Sequence, residues 1–202
     1  MVKDKRIKLS PKEKVIKQLI EHKEPQSIMY VSGMIVCDYK NTYNIIKELE
    51  PLFISKKNIG NTSLIKLNLT PNREIYSVEQ KRTEEFLVRN PKFKLMIEDI
   101  GEINYPFIIV LVFGSFAKEK NSSNSDIDIC IISDNKDKTK QLIEKFNLLS
   151  LKLDIHTFTT KEFNLMIEKK QNNLGNEIVK NNIILYGIEN YYNLISKWMK
   201  NE

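Results

Sequence analysis

Two aspartates, Asp126 and Asp128, head an otherwise apolar run that continues through Ile129, Cys130, Ile131 and Ile132. Side chains alternate across a strand, so the two carboxylates share one face while Ile127, Ile129 and Ile131 take the other. Such a run reads as a buried strand with a charged edge. Residues 107–113 and 151–158 read as two more strands, and 183–186 as a short fourth. Helical stretches near 137–148, 160–170 and 176–181, and a closing helix to Trp198, are interleaved with them. Strands alternating with helices predict a sheet covered by helices.

The carboxylates constrain the chemistry as well. Unit charges about 4 Å apart at an effective dielectric of about 20 repel by roughly 4 kcal/mol. A divalent cation offsets that repulsion, and magnesium favours one or two carboxylates completed by waters and substrate phosphates. Upstream, strand 107–113 runs into Gly114-Ser115. Glycine lets backbone approach a ligand closely, and a strand-to-helix turn there aims N–H groups at an anion. In Leu151-Lys152-Leu153-Asp154-Ile155-His156, alternation sets Asp154 and His156 opposite the apolar face. If that strand lies beside 126–132, Asp154 joins the same site. Three carboxylates holding two divalent ions suit an in-line phosphoryl displacement. His156 reads as an ordinarily packed histidine and Lys152 as a solvated lysine, although either could meet a substrate.

Gly114-Ser115-Phe116-Ala117, seven residues, then Ser125-Asp126-Ile127-Asp128, with a later acidic strand residue, resembles the polymerase-β-like nucleotidyltransferases. The small prokaryotic, or minimal, branch is the most similar. Residues 177–187 also resemble the ending of that branch, so the likeness covers about 105–190. It implies that Gly114 and Ser115 form the phosphate-holding turn and that Ser125 joins them in binding the nucleotide. It implies Asp126, Asp128 and Asp154 as catalytic residues and ligands of two Mg2+ ions, with Mn2+ able to substitute, and Asp154 as activator of the attacking hydroxyl. Many members carry arginine at the position of Phe116 and a second glycine at that of Glu119. The implied reaction moves a nucleoside monophosphate from an NTP, ATP foremost, to a hydroxyl. The acceptor is expected to be a protein or RNA, since the chain after Asp154 is short for a small-molecule pocket. Members of this branch act beside HEPN-type toxins as antitoxins, which makes such a toxin a candidate acceptor.

The first third differs in charge. Residues 1–70 hold 13 Lys and Arg against 7 Asp and Glu, a net +6, whereas residues 71–202 hold 19 of each. That asymmetry suggests a basic module facing a polyanion. Ser10-Pro11-Lys12-Glu13 is a capping box with proline at the first helical position. Residues 27–32 suggest a second helix, and 39–50 a third with Thr42, Ile45, Ile46 and Leu49 on one face. Runs 53–57 and 63–67 flank a Gly- and Asn-containing turn and predict a hairpin. Three helices and a hairpin resemble a winged helix-turn-helix. On that likeness Tyr39, Lys40, Asn41, Thr42 and Lys47 would enter a major groove, and Lys56 and Lys57 would touch phosphates.

The expected architecture is therefore α+β: a winged helix-turn-helix over 1–70, a helical connector over 71–104, and a mixed-sheet nucleotidyltransferase domain over 105–202. Cys37 and Cys130 form no metal or disulfide pattern. The longest apolar run is too short to span a bilayer, and the basic, polar start lacks a signal-peptide core. A cytoplasmic protein is expected, with a homodimer open. Two rival readings stand: a DNA-binding regulator whose nucleotidyltransferase domain only senses nucleotide, and a small-molecule nucleotidyltransferase.

Overall fold

The computed structural model describes residues 7–118, 125–169 and 173–199. They are α+β, and the chain divides into two compact units, Met1–Lys81 and Arg82–Glu202.

In the first unit, α1 (Pro11–Glu21) opens on the expected capping box. Ser10 Oγ accepts from Glu13 N–H, and the Glu13 carboxylate accepts from Ser10 N–H at 2.9 Å. Strand β1 (Gln26–Ser27) leads into α2 (Ile28–Met34), capped by Ser27, and α3 (Tyr39–Leu49) is capped by Asp38. The hairpin β2 (Ile54–Ile59) and β3 (Thr62–Leu67) turns at Gly60-Asn61. Gly60 has φ +57 and Asn61 does not lie in the left-handed region, which suits a turn with glycine first. The short β1, which the sequence pattern does not indicate, pairs with β3 to give the order β1-β3-β2. Val15, Ile16, Leu19, Ile46, Leu49 and Ile65 are among the residues that close the core.

Residues 71–104 are helical, as α4 (Arg73–Arg89) and α5 (Phe93–Ile103). The division between units falls within α4, and α5 contributes Phe93, Met96, Ile100 and Ile103 to the core of the second unit.

That unit is built on a mixed sheet of order β6-β5-β4-β7. Strands β4 (Ile109–Val112) and β5 (Ile127–Ile132) are antiparallel, β6 (Leu153–Phe158) runs parallel to β5, and β7 (Ile183–Tyr186) is antiparallel to β4. Strands β5 and β6 begin at Ile127 and Leu153, slightly inside the runs read from sequence. Ile127, Ile129 and Ile131 pack with α5 and with Leu142 and Phe146 of α7 (Lys136–Leu148). Helix α8 (Thr160–Glu168), with its Thr159–Glu162 capping box, packs against β6. Helices α9 (Leu174–Lys180) and α10 (Ile188–Met199) complete the unit. The edge strand β7 is covered chemically by α4: Arg82 donates to Asn182 O at 3.2 Å and Thr83 Oγ1 to Ile184 O at 2.7 Å. No helix among the described residues is long and apolar enough to cross a membrane.

Candidate active site

Strand β4 ends at Val112, and the chain turns through Phe113 into the single-turn helix α6 (Gly114–Ala117). Phe113 N–H donates to Asp128 O at 3.0 Å, which holds the turn against the start of β5. Gly114 has φ +64, and a Cβ there would overlap Asp128 Oδ2 and lie 2.8 Å from Asp128 Cγ. Only glycine meets both conditions. Ser115 N–H then donates to the Asp128 carboxylate. Phe116, where the resemblance anticipated arginine, is a core residue. It is buried, its ring meets Phe93 edge-on at 5.8 Å, and Lys92 Nζ stands 4.3 Å from its centroid. Glu119, the other departure, lies outside the described residues.

The parallel pairing of β5 with β6 places Asp128 opposite Asp154. Two acids on neighbouring strands, with strands about 4.8 Å apart, face the same way. Asp126 comes just before β5, and its Oδ1 meets Lys152 Nζ at 2.5 Å. Asp154 Oδ2 lies 3.3 Å from His156 Nε2, and the His156 ring leans on Phe113 at 5.6 Å. His156 and Lys152, read from sequence as bystanders, thus both contact acids of the site. Ser125 is half-buried immediately before Asp126.

Burial is the largest influence raising the Asp128 carboxyl above the ordinary aspartate value, and the nearby Asp154 charge raises it further. The Ser115 N–H and His156 act in the opposite direction, while Glu177 adds to the rise. Glu177 is the acid that sequence reasoning missed. It sits on α9, far along the chain, and pairs with Lys118 at the end of α6 at 2.9 Å. Nothing in its local sequence pattern separates it from a solvated helix glutamate.

The donor set is all carboxylate oxygen, the type that magnesium and manganese prefer. Among the described residues, no three His, Cys, Asp or Glu side chains form a group that could hold a metal ion. Magnesium needs only one or two carboxylates when phosphates and water complete its shell. The in-register pair Asp128 and Asp154 fits that demand, and a cation between them would offset both the burial of the Asp128 charge and its repulsion by Asp154.

In the first unit, Tyr39, Lys40, Asn41 and Lys47 are exposed on α3, and Lys57 is exposed on β2. Lys56 is half-buried, its ammonium 5.2 Å from the Tyr43 ring centroid. Thr42 corrects the expectation of a groove contact. It is fully buried, with Oγ1 donating to Asp38 O at 2.9 Å, because it belongs to the core face of α3 with Ile45, Ile46 and Leu49.

Residues 96–191 match the family model described as polymerase beta, nucleotidyltransferase. No curated protein and no solved structure is significantly similar to the chain.

Proposed function

We propose that the protein moves a nucleoside monophosphate from an NTP to a hydroxyl on a macromolecule, a reading supported by the match of residues 96–191 to the polymerase beta nucleotidyltransferase family model. The donor is ATP in the first instance. The acceptor is a protein, with a HEPN-type toxin partner as the leading case, or an RNA. The observation that carries this reading is the Asp128–Asp154 pair, set in register on adjacent parallel strands beside the Gly114-Ser115 turn.

Gly114 brings the backbone close to where phosphates would lie, with Ser115 and Ser125 as hydroxyl donors. Asp128 and Asp154 would hold Mg2+ once phosphates and water complete its shell, and Asp126, engaged by Lys152 in the metal-free protein, would join them only with substrate bound; the metal would supply charge neutralisation for the α-phosphoryl and the departing pyrophosphate. Asp154 takes the proton of the acceptor hydroxyl, with His156 fixing its orientation from 3.3 Å. The acceptor oxygen bonds to the α-phosphorus as the bond to the β-bridging oxygen breaks, and pyrophosphate leaves.

The first unit is proposed as a winged helix-turn-helix that binds DNA or a protein partner. Its helix–strand order, the β1-β3-β2 sheet and the exposed Lys40, Lys47 and Lys57 support this. The same surface favours a second reading, a DNA-binding regulator whose nucleotidyltransferase domain only senses nucleotide.

Transfer of α-labelled NTPs into extract of the source cells, with Mg2+ or Mn2+, separates the two. Label on a protein or RNA with wild type, and none with an Asp126→Asn/Asp128→Asn protein, supports transfer and identifies the acceptor. A folded, nucleotide-binding protein that labels nothing with any NTP contradicts it and leaves the regulator.

A further inference from the structure

Each described acid around the Asp128–Asp154 pair has a counter-group supplied by the protein. Asp154 faces His156, Glu177 faces Lys118, and Asp128 receives the Ser115 N–H. Asp126 is met by Lys152 Nζ at 2.5 Å, across the β5–β6 pair. The backbone anchors this lysine beside its partner, since Ile127 N–H donates to Lys152 O at 2.9 Å. Its side chain is nonetheless 75% exposed and that of Asp126 49%, so the ammonium can leave Asp126 without crossing any packed layer.

A divalent cation on Asp126 and the Lys152 ammonium cannot share that carboxylate without strong mutual repulsion. Once displaced, a tethered lysine keeps its compact charge within a stem's length of whatever the cation has brought. At this site, on the reading of nucleotide transfer proposed above, that is a triphosphate.

We propose that Lys152 is a substrate-positioning residue that holds Asp126 in the metal-free protein and passes its charge to the nucleotide's phosphates when a cation takes Asp126. Lysine at this position then acts with opposite sign on the two ligands. It weakens binding of the bare cation and strengthens binding of the nucleotide.

The test uses the full chain as wild type, Lys152→Met, Lys152→Arg and Lys161→Met. The last removes one exposed charge from α8, beyond the far end of β6, and controls for the general loss of positive charge. Mn2+ binding is followed by electron paramagnetic resonance at physiological ionic strength, which screens distant charges. A non-hydrolysable ATP analogue is then titrated in saturating Mn2+. Exposed ion pairs of this kind lead to an expected tightening of Mn2+ binding by about 2–5-fold in Lys152→Met. The analogue should bind that variant more weakly by at least a similar factor, while Lys152→Arg and Lys161→Met stay near wild type. Mn2+ affinity in Lys152→Met no tighter than in Lys161→Met, or analogue affinity equal to wild type, overturns the inference. Wild-type Mn2+ binding that Asp128→Asn abolishes leaves the metal reading of the site standing in that event. No such binding in wild type sinks both.

Discussion

Gly114 and Asp128 fill one space: the position a Cβ would occupy on Gly114 is already taken by the Asp128 carboxylate. Since φ at Gly114 is also +64, Gly114→Ala adds backbone strain to a clash. The expected outcome is displacement of the Asp128 carboxylate, with loss of Mn2+ binding and of nucleotidyl transfer. Helix content by circular dichroism should stay close to wild type, because α6 is a single turn. A Gly114→Ala protein that binds Mn2+ like wild type contradicts the close packing described.

The raised Asp128 carboxyl gives a pH signature. Its proton is held more tightly in the folded than in the unfolded chain, so the folded state binds more protons in the window between the ordinary and the raised values. Without metal, this group's contribution to stability is therefore fully present below the ordinary aspartate value and is lost as pH rises through the raised one. Asp128→Asn should remove that dependence. Thermal melts with EDTA across the acidic range measure it. Added Mn2+ should reverse the trend for wild type, because metal binding requires the ionised carboxylate and improves with rising pH.

Thr83 and Ile184 form a buried hydrogen bond at the β7 edge of the sheet. Thr83→Val keeps the shape and removes the donor, leaving Ile184 O unsatisfied at a residue with no exposure. A cost of about 1–3 kcal/mol is expected from urea denaturation. No change in midpoint would mean that water or a neighbour takes over the carbonyl.

The exposed lysines of the first unit should carry any polyanion affinity. Lys40→Ala/Lys47→Ala/Lys57→Ala should weaken DNA binding and flatten its salt dependence by about three charges' worth of slope. Thr42→Val, at a buried position, should leave affinity for DNA unchanged. Fluorescence anisotropy across a salt series measures both. Equal loss in the two proteins would place the interface elsewhere.

Much of this was legible in the sequence because it is local. Both capping boxes follow from residues three apart, and the hairpin from a Gly-Asn pair between apolar runs. The alternation around Asp128 fixed which side faces the core, and the burial of Ile127, Ile129 and Ile131 agrees with it. What pairing alone decides was conditional. Asp154 could be placed beside Asp128 only if the two strands were neighbours, and the parallel β5–β6 pairing makes them so. Contacts between distant segments were not legible. Glu177 near Asp128, Lys152 on Asp126 and Phe116 in the core depend on tertiary packing that no local pattern encodes. The two-residue β1 was missed because its pairing with β3 needs hydrogen bonds rather than periodicity. Thr42 was placed on two faces at once, and burial decided between them.

The most direct test of nucleotidyl transfer compares α-labelled with γ-labelled ATP, each incubated with wild type or Asp128→Asn, Mg2+ and the captured acceptor. Nucleotidyl transfer predicts label on the acceptor from the α position only, Mg2+-dependent, and absent with Asp128→Asn. Label arriving from the γ position, or α label that survives Asp128→Asn, would contradict the mechanism assigned to the Asp128–Asp154 pair.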